Sequence, residues 1–134
     1  MNSMIDSKKF TYGAISIMSM ISLIDGTPAP EQEEEMNRVI LENERIHSNL
    51  EYAFKVKSEV EKKLKLDFAE TSEDILLDLA KMKINKKDSF DIVELGIEFL
   101  KFTDVISLRK VGVISYFASI LNVSLSQPVF SLIG

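Results

Sequence analysis

Residues 21–34 read Ile-Ser-Leu-Ile-Asp-Gly-Thr-Pro-Ala-Pro-Glu-Gln-Glu-Glu. An uncharged, almost wholly apolar run stops at Asp25-Gly26, crosses a loop punctuated by Pro28 and Pro30, and restarts in a cluster of carboxylates. Glycine supplies the left-handed residue that closes many helices. Proline and acidic side chains are favoured in the first turn of the next one. The stretch is a helix–turn–helix junction, with Gly26 and Pro30 as its structural residues.

Upstream, Phe10 to Ile24 carries no charge. Phe10, Ala14, Ile17, Ile21 and Ile24 share one face, while Ile15, Met18 and Leu23 fill others. A helix apolar nearly all round belongs at the centre of a bundle. The run is too short to span a bilayer, and Ser16, Ser19 and Ser22 interrupt it, so no transmembrane segment is expected. Lys8-Lys9 precede it, but no cleavage context for a signal peptide follows. Residues 1–9 read as an N-terminal extension and 10–134 as one helical domain, the size of a single core.

Downstream, Gly and Pro are absent from Glu31 to Leu95, and charge recurs at helical spacing. A second helix is expected from Thr27-Pro28, Thr27 capping it, with Met36, Val39, Ile40 and Ile46 inward. It either continues to Leu66 or breaks near His47-Ser48-Asn49. Ser48-Asn49-Leu50-Glu51 has capping-box spacing, which favours the break. A third helix, Asn49 to Leu66, would bury Leu50, Ala53, Phe54, Val60 and Leu64 and show a solvated face of Lys55, Lys57, Glu59, Glu61, Lys62, Lys63 and Lys65. Thr71-Ser72-Glu73-Asp74 opens a fourth. The fifth, Asp88 to Thr103, would bury Phe90, Val93, Ile97, Phe99, Leu100 and Phe102. The sixth carries Val111, Val113, Ile114, Phe117, Ala118 and Leu121 and stops at Asn122. The expectation is an all-α single-domain bundle of six or seven helices. The apolar tail from Val129 to Ile133 either docks on its own core or enters a neighbour's, which would make a homodimer.

A degenerate two-fold repeat runs through this pattern. Placing Asp25 over Asp104 also aligns Ala14 with Val93, Met18 with Ile97 and Ile21 with Leu100. Each half then reads as apolar helix, Asp-containing turn, helix.

Net charge is −5 and the isoelectric point about 4.9. Without a basic stripe to neutralise phosphates, nucleic acid is not an expected partner. The chain has no Cys, which excludes a disulfide framework, a thiolate nucleophile and Cys-ligated metal, and suits a reducing cytoplasm. The single histidine, His47, has no second His or nucleophile patterned around it. An enzyme is therefore the least supported class, and no catalytic residue is assigned. Asp25, Glu31, Glu34 and Asp104 offer oxygen ligands of the kind Ca²⁺ or Mg²⁺ requires. The competing explanation is that first-turn carboxylates gain about 0.3–1 kcal/mol each from the helix dipole without any ion. Ordered EF-hand spacing is absent.

With these residues in view, the chain resembles the TerB-like family of helical domains, named for tellurite resistance protein B. The likeness rests on Leu23-Ile24-Asp25-Gly26, then Pro30-Glu31 with Glu33 and Glu34, and on Leu121-Asn122-Val123-Ser124 closing the second half. It spans about Phe10 to Gln127. Val105 stands where the family pattern has Gly, and Arg109-Lys110 where it has acids. The resemblance implies a non-catalytic interaction module of stress-response, tellurite-resistance or phage-defence assemblies. It implies protein partners, in a cytoplasmic setting peripheral to the inner membrane, with the acidic junction as contact surface. A divalent-cation sensor or buffer is the alternative.

Overall fold

The uncharged run becomes the axis of the molecule. The computed structural model describes residues 3–102 and 106–125. Among them are seven helices and no strand: α1 (Ser3–Leu23), α2 (Pro30–Glu42), α3 (Glu44–His47), α4 (Leu50–Leu66), α5 (Phe68–Met82), α6 (Lys86–Leu100) and α7 (Leu108–Leu121). The all-α single-domain bundle is as expected. α1 touches all six others and packs most extensively on α4 and α6. From Phe10 to Ser22 every α1 residue but Tyr12 is buried, Thr11, Ser16, Ser19 and Ser22 included. With each large aliphatic side chain worth about 1.5–3 kcal/mol on full burial, a helix enclosed on all sides is fixed by packing and needs no polar face.

Two glycines set the contact between α1 and α6. A Cβ on Gly13 would stand 2.6 Å from Ile92 Cδ1, and one on Gly96 would stand 2.5 Å from Ile17 Cδ1. Each isoleucine fills the hole opposite. Both pairs are separated by 79 residues, the offset that lays Asp25 over Asp104. α1 and α6 therefore run the same way, each meeting its own repeat-equivalent across the seam. Asp104 itself, and the tail at 126–134, lie outside the described residues.

Several boundaries differ from the sequence pattern, for identifiable reasons. α1 starts at Ser3, so residues 3–9 are helical, seven residues ahead of the start read from the uncharged run. Within this segment Lys8 lies over the Tyr52 ring at 5.3 Å. α2 starts at Pro30 in the N1 position with Ala29 as cap, not at Thr27-Pro28. The favoured break before α4 is present, and a second one falls at Asn43. Its side chain accepts from the Arg45 and Ile46 amides and so opens α3. The Ser48 capping box does not form. Ser48 Oγ instead donates to Arg45 O at 2.7 Å.

α5 opens at Asp67, which accepts from Glu70 N, and not at Thr71, whose hydroxyl donates back to Lys63 O. Asn85 caps α6, which starts at Lys86, two residues before the predicted start at Asp88. Phe54, Phe90 and Phe102, expected inside, are exposed, and Val56 is buried instead of Phe54. Lys57 is not on a purely solvated face. It lies 3.4 Å from Glu33 and 3.3 Å from Glu61, tying α4 to α2. Asn122 does adopt the left-handed stop, at φ 57°.

Candidate functional site

α1 closes as the sequence implied. The Gly26 amide donates to Leu23 O at 3.1 Å, and Gly26 sits at φ +114°, a conformation side chains other than glycine rarely take. Asp25, just before it, accepts the Ser107 hydroxyl at 2.6 Å. Ser107 also accepts from Lys110 N and so caps α7. One serine thereby joins the α1–α2 turn to the start of the last helix.

Asp25, Glu31 and Glu34 are each exposed. Among the described residues no three Asp, Glu or His side chains are placed to hold an ion together. Asp104, the fourth proposed ligand, is outside the described residues. Glu31 and Glu33 lie in the first turn of α2, where the dipole favours them without a metal. His47 is exposed at the end of α3.

What the turn does build is a groove. Leu23, Ile24, Gly26, Thr27, Pro28, Leu64, Phe68 and Ala69 line a cavity of about 850 Å³, with Lys65 and Arg109 in its wall. Ile24, Phe68 and Arg109 also line an adjoining space of about 310 Å³ with Met20, Leu76, Val113 and Tyr116, so the two share a wall. Lys65 and Arg109 are exposed and form no ion pair with a described residue. Glu73 stands in the wall of the smaller space. An apolar trough with two free cations beside it suits an apolar segment bearing carboxylates. The pattern of apolar positions could not reveal this, because the walls come from four helices and a loop.

Elsewhere the polar groups serve the fold. The Arg45 guanidinium grips Asp88 through both oxygens, at 3.0 Å for the Nη2–Oδ2 contact, and lies 4.4 Å from the Phe10 ring centroid. Asn85 donates to the same carboxylate at 3.0 Å. The hydrogen bonds from Arg45 hold the Asp88 carboxyl below the usual range despite its burial. This clamp joins α3, α6 and α1 at the end of the bundle opposite the groove, and apolar spacing does not reveal it. Tyr12 donates to Asp78 at 3.0 Å. Burial first, then the Asp78 charge, pushes that phenol well above its ordinary range.

Comparison with family models, curated proteins and solved structures finds no match. No helix among the described residues is long and apolar enough to cross a membrane.

Proposed function

We propose that the chain is a non-catalytic interaction module whose groove beside the α1–α2 turn receives an apolar, carboxylate-bearing segment of a protein partner. The observation that carries this is the trough of about 850 Å³ walled by Leu23, Ile24, Leu64 and Phe68, with Lys65 and Arg109 beside it and not ion-paired to any described residue. Apolar area would supply the affinity and the two cations the orientation. This moves the contact from the acidic α2 start, the surface the family resemblance implied, to the other side of the same turn. The resemblance to TerB-like domains supplies the biological setting of the proposal: assembly with protein partners in a stress-response or phage-defence system near the inner membrane face.

The test uses a defined probe, an anionic apolar dye such as anilinonaphthalene sulfonate, on the folded full-length chain. Saturable fluorescence at one site is expected, lost in both Ile24→Lys and Arg109→Glu while helicity and melting temperature stay near the parent's. Dye binding unchanged in both folded variants would remove the groove from the account.

A further inference from the structure

On α7 the groove and its adjoining space are lined by Arg109, Val113 and Tyr116, which share one face of the helix. Ile120 continues that face to the end of α7, and Ile120, Val123 and Leu125 are all partly buried against the core. The face is therefore a track that leads from the groove to the last described residue. Tyr116 is 65% exposed, and Leu66 and Leu108, next in sequence to Lys65 and Arg109 of the groove wall, are 79% and 74% exposed. A single exposed apolar residue needs no explanation, but several beside an apolar trough mark a surface that takes an occupant.

The chain continues past that track. Residues 126–134, outside the described structure, read Ser-Gln-Pro-Val-Phe-Ser-Leu-Ile-Gly, apolar at Val129, Phe130, Leu132 and Ile133 and without a charged side chain. Reach decides whether this tail can enter its own groove. After the left-handed Asn122, the Val123 amide donates to Ala118 O at 2.8 Å, which turns the chain at the helix end. Along α7 it is about 8 Å from Leu121 back to Tyr116 and about 18 Å back to Arg109, at 1.5 Å per residue. An extended chain covers about 3.3 Å per residue, so Phe130 reaches about 17 Å from Leu125 and Ile133 about 26 Å. The tail thus spans the groove from the end of its own α7. Its tether supplies an effective concentration in the millimolar range, which a second copy in dilute solution does not match.

We propose that residues 126–134 occupy the groove of their own chain, with Val129, Phe130, Leu132 and Ile133 against the apolar wall of Ile24, Phe68, Val113 and Tyr116. This rests on the groove being the binding surface, and it adds the regulation of that surface. The tail brings apolar area but no carboxylate, so Lys65 and Arg109 stay without a counter-charge while it is seated. A partner segment carrying both displaces it, because only the partner gains from the two cations. The groove is closed to apolar segments in general and opens to acidic ones.

The chain has no cysteine, so Ser131→Cys in the full-length protein places a nitroxide label within the tail without replacing an apolar residue. In the dilute nitrogen-15-labelled chain, the label should broaden the backbone amides of Gly26, Ala69 and Tyr116 and leave those of Arg45 and Asp88 sharp. Uniform or absent broadening would overturn the proposal. So would broadening seen only when spin-labelled chain is mixed with separate nitrogen-15 chain, which would give the groove to a second copy. Independently, Phe130→Ser combined with Leu132→Ser should tighten binding of anilinonaphthalene sulfonate at least about threefold, since the groove is then open more of the time. Dye binding that is lost in Ile24→Lys but unchanged by the tail substitutions would remove the tail and leave the groove as the binding surface. Dye binding in neither the parent nor the tail variant would remove both.

Discussion

α1–α2 and α6–α7 are the same device used twice, and they differ most where they face outward. Moved back by 79 residues, α7 falls on residues 29–42, against 30–42 for α2. Asn122, at the end of α7, falls on Asn43, at the end of α2. α7 is nonetheless enclosed, burying Val111, Val113, Ile114, Phe117, Ala118 and Leu121, whereas α2 buries only Met36 and Ile40 among its apolar residues. α2 fills its exposed turns with Glu31, Glu34, Arg38 and Glu42. Helix length and register have been held while surface chemistry diverged, because register is fixed at the glycine seam and surface charge touches nothing there. Behind the turn, the two halves contribute Gln32 and Lys110 to the lining of one small cavity, one residue apart in repeat register.

The largest break of this comparison comes at the seam. Gly96→Leu should destabilise the chain by about 3 kcal/mol, since its side chain would enter space that Ile17 already fills. Adding Ile17→Ala should recover part of the loss in a urea titration. Full additivity of the two changes would separate α1 from α6 at that point.

Next in size is the Arg45–Asp88 clamp, which the first half lacks. Arg45→Met strands a buried carboxylate. With the guanidinium partly exposed, the expected loss is about 2 kcal/mol, below the 3–5 kcal/mol of a fully buried pair. Asp88 titrates below its unfolded value, so its contribution is complete above a pH of about 4 and is lost as pH falls towards the folded pKa. Asp88→Asn should flatten that acid limb of the stability curve, measured by denaturant midpoints between neutral and acid pH.

The fold was legible in the sequence to the extent that burial follows a period. The central position of α1, the break before α4 and the stop at Asn122 came from apolar spacing and turn chemistry. Boundaries failed where two signals competed. Pro28 and Pro30 are both good first-turn residues, and Asp67 and Thr71 are both good caps, so choosing between them takes tertiary packing. Phe54, Phe90 and Phe102 read as core because the sequence shows hydrophobicity but not which side of a helix has a neighbour. At the site, the Asp25-Gly26 turn was readable and its partner Ser107 was not, lying 82 residues away. The local excess of carboxylates was readable too, whereas the burial of Gln32 and Lys110 beside the same turn takes the tertiary packing of three helices.

The smallest effects separate the two equivalent asparagines. Asn43 works through its side chain, accepting two amides at the start of α3, so Asn43→Ala should cost about 1 kcal/mol and Asn43→Asp almost nothing. Asn122 works through its backbone at φ 57°. There Asn122→Ala should cost about 1 kcal/mol, while Asn122→Gly should be neutral or slightly stabilising. Thermal melts of the four variants check the assignment, and identical rankings at both positions would merge the two roles.

The groove depends on α1 and α6 running in the same direction, which delivers the α1–α2 turn to the start of α7. The chain has no cysteine, so a pair of introduced thiols reports on this without background. Asp25→Cys should be joined by a short thiol-specific cross-linker to Ser107→Cys and not to Lys87→Cys, at the far end of α6. Capture of position 87 in preference to 107 would reverse the helix direction and contradict the account.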